Sequence, residues 1–372
     1  MGGSVVGSEW DHELKVKSER VAGFLERVGC DGLLLNRQAN FAWATGGGDN
    51  HVAISTEWGA SSVLFARGRR YLLTSNIEGP RVMQEELAEK GFEPVTSEWH
   101  HPSMPDLVQR LVPGGRIAAD GSGFARDVTK DLVEIRAVLT DEEVRRYRIL
   151  GRRGAASLED VARRVRAGLS EFQIAGMMAD AVLQHGITPT VLLVAVDERI
   201  DRFRHPIPTT KAMDRRAMLI LCARCGGLVI SLTRIVHHGA VPAELRRKHD
   251  AVTRVDAAMI LATIPGTRYA DVLERAREEY SCAGYADEWT FHHQGGPTGY
   301  QERDEIVTPD SDGIVRDRQA FAWNPSIRGT KSEDTMLVNG EGYEVITASP
   351  AWPTTTVRID SAVVERPDIL VM

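Results

Sequence analysis

The sequence predicts two domains in tandem, an α/β domain followed by an α+β domain. Three observations favour this fold class: the length of the chain, an alternation of strand-like and helical patterns in its first third, and a hairpin pattern in its second half. At 372 residues, the chain is long enough for two domains of ordinary size. Its content of 42% hydrophobic and 26% charged residues is typical of a folded globular protein.

The first domain is predicted over residues 1–138. Its strand-like apolar runs are residues 32–35, 62–65 and 71–74. Helical patterns at residues 20–28 and 80–90 alternate with these runs, as expected of an α/β unit around a central sheet. Clusters of turn-forming residues lie at 46–50, 66–70 and 113–115.

The second domain is predicted over residues 139–350. Thr140 forms a capping box with Glu143, and Ser170 forms another with Gln173, so a helix is expected to begin after each. Strands are predicted at residues 191–196, 217–222 and 228–232. A tight turn at residues 226–227 joins the last two strands and indicates antiparallel pairing. Residues 351–372 are predicted as a C-terminal tail.

Charge and hydropathy exclude several function classes. Lys and Arg number 45 against 52 Asp and Glu, which gives a net charge of −7, so a nucleic acid is not expected as the main partner. No apolar run approaches the roughly 20 residues of a membrane span, and the N-terminal residues lack a secretion signal. Val6 stands where a myristoylation signal needs Ser or Thr. Four cysteines are too few for a disulfide framework, which favours the cytoplasm.

Four segments carry the residues best suited to chemistry. In order they are RFRHP (202–206), ILCARCGGLVISLTR (220–234), HHQGGPTGY (292–300) and FAWNPSIRGTKSEDTMLV (321–338). Their order and spacing resemble the pita-bread family that contains methionine aminopeptidase, aminopeptidase P, prolidase and creatinase. Residues 20–74 also resemble the smaller N-terminal domain of the last three. The resemblance therefore implies a creatinase-type N-terminal domain followed by a pita-bread domain.

The resemblance also identifies five positions that hold metal ligands in the family's peptidases. There an Asp, Asp, His, Glu, Glu set binds two divalent ions that activate a water molecule. In this chain the positions carry Ile220, Ser231, His293, Asn324 and Glu333. One carboxylate remains of four, so two adjacent dications would keep most of their charge uncompensated. We therefore predict no metal and no other cofactor.

Creatinase works without metal, and the residue that shuttles protons in creatinase matches His205. An imidazole with a pKa of about 6.5 can accept and return a proton at neutral pH. The resemblance thus implies a metal-independent hydrolase of a C–N bond, with His205 as general base and acid. His293 and Glu333 are the other predicted catalytic residues. Elimination or decarboxylation would use the same residues.

Further polar residues of these segments are predicted to bind a small substrate, most simply one with a carboxylate, which suits the planar fork of Arg. They are Ser231, Thr233, Arg234, His292, Tyr300, Arg303 and Asn324. In an extended segment only one of the adjacent His292 and His293 would face the pocket. For Glu333, an ion pair with Arg234 is the structural alternative.

Two other functions stay open. One is a catalytically inactive peptidase fold kept as a binding module, as in a histone chaperone subunit that resembles these peptidases. The other is a metallo-aminopeptidase with relocated ligands, for which Cys222, Cys225 and His293 could form a mononuclear zinc site. The resemblance also implies a homodimer in which Asn50 and His51 border the partner's pocket.

Overall fold

The computed structural model describes residues 9–101, 103–121, 123–340 and 342–372, so the assessment of Val6 and the N-terminal signal lies outside the described residues. Internal contacts divide the chain into two units. The first comprises the described residues up to Glu143 together with Gly226–Leu228. The second comprises Val144–Cys225 and Val229–Met372.

The first unit contains a six-stranded mixed sheet. Its elements are α1 (Glu9–Val28), β1 (Gly32–Arg37), α2 (Gln38–Ala44), β2 (Trp58–Ala66), β3 (Arg69–Ser75), α3 (Gly79–Arg81), β4 (Glu93–Ser97), α4 (Met104–Leu111), β5 (Ile117–Ala119), β6 (Arg126–Asp127) and α5 (Leu132–Arg136). The strand order is β4-β3-β2-β1-β5-β6, with β2 antiparallel to both neighbours. All three predicted strands are present, whereas the helical pattern at 80–90 becomes the short α3 and a π-helix at Val82–Glu86.

The described residues of the second unit form two four-stranded sheets and two hairpins. The elements that follow α5 are α6 (Asp141–Arg164), α7 (Glu171–Leu183), β7 (Thr188–Val196), α8 (Glu198–Arg202), β8 (Arg216–Cys225), β9 (Leu228–His237), α9 (Ala243–Ala262), α10 (Tyr269–Cys282), β10 (Gly295–Thr298), β11 (Ala320–Trp323), β12 (Ser326–Ile327), β13 (Thr330–Lys331), β14 (Asp334–Asn339), β15 (Gly342–Val345), β16 (Thr354–Ile359), β17 (Ala362–Pro367) and β18 (Leu370–Val371). The sheets have the orders β18-β9-β8-β7 and β10-β11-β14-β15, and the hairpins are β12–β13 and β16–β17.

Local sequence signals account for where these elements begin and turn. Both capping boxes form as predicted: the Thr140 hydroxyl accepts from the Glu143 amide at 3.3 Å, and the Ser170 hydroxyl accepts from the Gln173 amide at 3.2 Å. Gly226 and Gly227 both adopt positive φ, of 55° and 78°, which is the conformation that a tight hairpin turn requires.

Helices α9 and α10 support the strands that carry the candidate site. Val255 and Val272, one on each helix, pack in one apolar core with Phe321, Trp323 and Met336 of β11 and β14. Because such a core is densely packed, the ends of β10, β11 and β14 are held in fixed positions.

Residues 351–372, assigned to a tail from the sequence, belong to the second unit. They contain the β16–β17 hairpin and β18, which pairs in parallel with β9 through Leu370 opposite Val236. β18 has only two residues and its partner β9 lies more than a hundred residues away, so no local pattern indicates its place in the fold.

His249 on α9 predicts acid sensitivity of this unit. The ring is buried, with Nδ1 2.7 Å from Thr330 Oγ1 and Nε2 3.1 Å from the Pro367 carbonyl oxygen. Burial lowers the pKa of His249, and the positive charge of Arg246 lowers it further. The Pro367 carbonyl, Asp368 and Asp250 oppose this shift. The folded state therefore rejects a proton that the unfolded state binds below about pH 6.5, so stability falls as pH decreases through that value.

We expect the urea midpoint to be lower at about pH 5.5 than at about pH 7.5, and His249→Gln to reduce this difference. His185→Gln, at an exposed residue after α7, is the control. An unchanged pH dependence in His249→Gln would contradict the prediction.

Candidate active site

Three histidine rings meet in the second unit. His205 is exposed in the loop after α8, while His292 and His293 follow a 3₁₀ turn at Glu288–Phe291. The ring centroids of His205 lie 4.9 Å from His292 and 5.6 Å from His293, and those of the adjacent pair are 4.7 Å apart. The Nε2 atoms of His205 and His292 are 3.1 Å apart, which is hydrogen-bond distance.

The expectation that only one of the adjacent histidines would face the site is wrong, since both rings contact His205. The chain bends at His292, and β10 begins only at Gly295. The alternation of side chains along an extended strand therefore does not apply at this point.

All three imidazoles favour the neutral form. Burial lowers the pKa of His292, and the nearby Lys331 adds to this effect. Burial, followed by the positive charge of Arg303, lowers the pKa of His293 to about 4. For the exposed His205, partial desolvation of the ring and then Lys331 lower the pKa, while Glu333 opposes them. At neutral pH each ring therefore keeps a lone pair on one nitrogen.

Glu333, directly before β14, is a buried carboxylate surrounded by donors. Its Oε2 accepts from Lys331 Nζ at 2.5 Å and from Thr233 Oγ1 at 2.7 Å, and its Oε1 accepts from an Arg303 terminal nitrogen at 3.1 Å. Burial by itself would raise the pKa of Glu333, but Lys331 and Arg303 together lower it to about 2. Glu333 is therefore ionised, with two cations beside one anion.

Buried polar atoms without hydrogen-bond partners lie at the same site. Within the described parts of the chain, they include His293 Nδ1, Arg303 Nε and Asn324 Oδ1. The other nitrogens of the Arg303 guanidinium donate to Glu333, to Ser231 Oγ at 3.0 Å and to the Glu302 carbonyl at 2.5 Å. Because unsatisfied buried polar atoms are rare, these three atoms indicate where a ligand would bind.

Gly295 allows β10 and β11 to approach closely beside this site. It adopts a φ of 99°, and a Cβ there would lie 2.1 Å from the Ala322 carbonyl oxygen and 2.8 Å from Asn324 Oδ1. Only glycine fits here, so Gly295 leaves the space that Asn324 occupies beside β10.

A cavity of about 470 Å³ borders the three histidines. Its apolar lining consists of Leu273, Trp289, Phe291, Ile306, Val307 and Pro309. Phe291 and Ile306 are 60% and 50% exposed. This volume is within the range of small-molecule sites, and its apolar wall suits an apolar part of a substrate.

Arg234 does not belong to this site, contrary to the sequence prediction. Its side chain is 1% exposed and donates to Glu159 and Asp334, each at 3.1 Å, and to two backbone carbonyl oxygens. A guanidinium so enclosed has no face for a substrate. The alternative ion pair between Arg234 and Glu333 is also wrong, since the partners of Glu333 are Lys331 and Arg303.

The other residues that were predicted to bind substrate or to border a partner's pocket differ in their contacts and exposure. Ser231 and Thr233 contact the Arg303–Glu333 pair through their hydroxyls. Tyr300 is only 2% exposed. In the first unit, Asn50 is 1% exposed and donates to the carbonyl oxygens of Asn36 and Ser61, so it is not available to border a partner's pocket.

Cys222 and Cys225 do not converge on the histidines. They lie three residues apart on β8, Cys222 buried and Cys225 exposed, because alternate residues of a strand face opposite sides. Cys222 Sγ lies 3.2 Å from Ser231 Oγ, and burial raises the pKa of this thiol to about 12. Among the residues that the structure describes, the cluster with metal-binding spacing is His205, His292 and His293.

Sequence reasoning missed Lys331 and Ser326. Lys331 is two residues before Glu333, so the alternation of an extended segment could have indicated that both lie on one side. Ser326 Oγ lies 3.1 Å from His292 Nδ1, a contact across 34 residues for which the sequence offers no signal.

Comparison with known proteins identifies the family. The model of metallopeptidase family M24 matches residues 145–361, which is more than half of the chain. The chain belongs to metallopeptidase family M24. This confirms the pita-bread assignment made from the four segments.

Individual relatives of this M24 chain are distant. An uncharacterized peptidase of Staphylococcus aureus (strain MW2) is 22% identical over 248 residues, or 64% of this chain and 69% of the relative. The Xaa-Pro dipeptidase from Bacillus anthracis matches at a TM-score of 0.76 and 18% identity, with 96% of this chain and 100% of that one covered. The N-terminal domain of FACT complex subunit SPT16 from chickpea matches at 0.64 and 13%, covering 90% and 96%. At these identities the structures show the fold alone.

The metal pair that the M24 family name implies does not fit this chain. Ile220, at the first of the ligand positions that the family resemblance implies, packs in an apolar cluster with Met218 and Ile235. The hydroxyl of Ser231, at the second, accepts from Arg303. Asn324 Oδ1 is a neutral oxygen, and Glu333 is already paired with two cations. Two dications beside these cations would have too few anionic ligands.

No helix among the residues that the structure describes is both long and apolar enough to cross a membrane.

Proposed function

We propose that this chain is a metal-independent hydrolase that cleaves a C–N bond in a small amino-acid-derived or peptide-like substrate bearing a carboxylate. Membership of a peptidase family supports hydrolysis as the reaction class. The observation that carries the proposal is the buried Arg303–Glu333–Lys331 cluster, which includes one of the ligand positions that the resemblance implies and lies near the three imidazoles.

The charge and the unpartnered atoms of the site define the substrate class. Two cations and one carboxylate leave a net positive charge, which favours an anionic group such as a carboxylate. Arg303 Nε is a free donor for that group, and Asn324 Oδ1 can accept an N–H of the substrate. The apolar cavity beside His293 would take the remaining part of the molecule.

His205 would act as general base and then as general acid. When its Nε2–H donates to His292 Nε2, the lone pair of His205 lies on Nδ1 and can accept a proton. This proton comes from a water molecule as the water oxygen bonds to the scissile carbon. His205 then returns the proton to the nitrogen as the C–N bond breaks, so the overall reaction consumes one water.

Activity of metal-depleted protein tests this proposal. The chelator-treated protein, with metal content checked by elemental mass spectrometry, would be assayed for release of free amine from Xaa-Pro dipeptides, N-acyl amino acids and guanidino acids. We expect turnover of one such class to survive chelation, and His205→Ala to lower kcat/KM by about 10²–10⁴-fold.

His185→Ala, at an exposed histidine outside the site, should leave kcat/KM unchanged. Turnover that disappears on chelation and returns with added metal would overturn metal independence. Unchanged turnover in His205→Ala would remove His205 from the mechanism.

Binding without catalysis is the second candidate function. It is favoured by the same loss of metal-ligand side chains at Ile220, Ser231 and Asn324. Calorimetric binding of a carboxylate-bearing compound without turnover would support it. Both proposals include a homodimer that binds a small molecule. Light scattering is therefore expected to give the mass of a dimer.

A further inference from the structure

We propose that His205, His292 and His293 form a binding site for one late transition metal ion, such as Zn²⁺. Of the five M24 ligand positions that the resemblance implies, this site includes only that of His293. This site shares His205 with the proposed hydrolase but does not require that proposal to be correct.

The spacing of the three rings suits a single ion. One nitrogen of each ring can be chosen so that all three lie within 4.8 Å of one another. The Nε2 atoms of His205 and His292 are already 3.1 Å apart. Two ligands of a tetrahedral zinc with bonds of about 2.0–2.1 Å are about 3.4 Å apart, so a small movement of the exposed His205 loop would complete the geometry.

The donors also have the chemical character that such an ion requires. Metals bind imidazole through the lone pair of a neutral ring, the form that full or partial desolvation favours at all three positions. Ser326 Oγ contacts Nδ1 of His292 and directs its Nε2 toward His205, as outer partners of metal-bound histidines commonly do. Nitrogen-only ligands favour zinc, copper, nickel or cobalt over magnesium, calcium or manganese.

Surrounding charges limit the affinity but leave a coordination position open. Lys331 and Arg303 repel a dication, and Glu333 offsets one of them. His205 is exposed, and the cavity borders the cluster, so a water or substrate atom can occupy a fourth position. An ion bound here would also occupy the lone pair of His205, so we expect it to inhibit a hydrolase that uses this residue as its base.

Direct metal binding tests the site without reference to activity. The chelator-treated full chain would be titrated with ZnCl₂ by calorimetry and with CoCl₂ by visible absorption. We expect one ion per chain, with the intense visible bands of four-coordinate cobalt. His205→Ala, His205→Gln and His293→Ala are each expected to weaken binding more than about 100-fold, and Ser326→Ala by about 10–100-fold.

Two control variants separate this site from other donors. Cys225→Ser removes an exposed thiol, and His185→Ala removes an exposed imidazole away from the cluster. Both should retain wild-type affinity. No binding of either ion, or equal affinity in the His205 variants and the controls, would overturn the site.

The effect of zinc on turnover then distinguishes this inference from the proposed function. One-ion binding with inhibition supports both. Binding with activation supports the metal site and overturns metal independence. Turnover that is unaffected by chelation, together with an absence of zinc binding, overturns the metal site and leaves the hydrolase intact.

Discussion

Glu333→Gln is expected to lower the free energy of unfolding of this protein by about 3–5 kcal/mol. The substitution keeps the shape of the side chain but removes the charge that Lys331 and Arg303 share. Their side chains are 4% and 9% exposed, so water cannot replace the carboxylate. The measurement is urea unfolding, with the midpoint and slope compared between variant and wild type.

The direction of this effect separates an ion-pair role from a metal-ligand role. A carboxylate crowded by other acidic metal ligands would repel them in the metal-free protein, so its removal would be neutral or stabilising. Adding Lys331→Met to Glu333→Gln should recover part of the loss, because one unpaired cation is removed.

Glu344→Gln provides the matched control for Glu333. Glu344 pairs with Arg148, and both side chains are 37% exposed. Breaking such an exposed pair should cost no more than about 1 kcal/mol. Equal losses in Glu333→Gln and Glu344→Gln would contradict the buried ion-pair account.

Arg366→Met is expected to destabilise the second unit by a similar amount, about 3–5 kcal/mol. Arg366 lies on β17, is 1% exposed, and contacts Asp256 of α9 at 2.7 Å and Asp334 of β14 at 2.8 Å. Removing the guanidinium leaves two buried carboxylates close together without their shared cation. Urea unfolding at neutral pH measures the loss.

Arg358→Met on the same hairpin is the control, since Arg358 is exposed. It should change stability by less than about 0.5 kcal/mol. If Arg366→Met were as mild as this control, the buried network would not be what holds the C-terminal hairpin to the unit.

Several features of the fold could be predicted from the sequence because neighbouring residues determine them. The capping boxes at Thr140 and Ser170 place polar side chains within one helical turn of the amides that they satisfy. Gly226 and Gly227 mark the turn by their conformational freedom alone. Neighbouring residues also determine the strands of the first unit, which alternate with helical segments.

Predictions about individual partners of site residues were less successful. Arg234 was expected near a substrate and instead pairs with Glu159 and Asp334, which are 75 and 100 residues away. Chemical type indicates that an Arg can bind a carboxylate but not which carboxylate the fold brings to it. Where several acidic residues are available, only the packing of the fold decides which carboxylate pairs with the Arg.

The sequence by itself determined the family and the chain order of the four segments that carry the site, because motifs and residue identities are local information. It also shows Ile220, Ser231 and Asn324 at positions where the resemblance implies carboxylates. The tertiary structure alone decided that Arg303 and Lys331 neutralise Glu333 and that both adjacent histidines meet His205. The physical reason is that charge compensation and ring contact depend on side chains from separate segments, and burial makes those contacts strong enough to set the chemistry of the site.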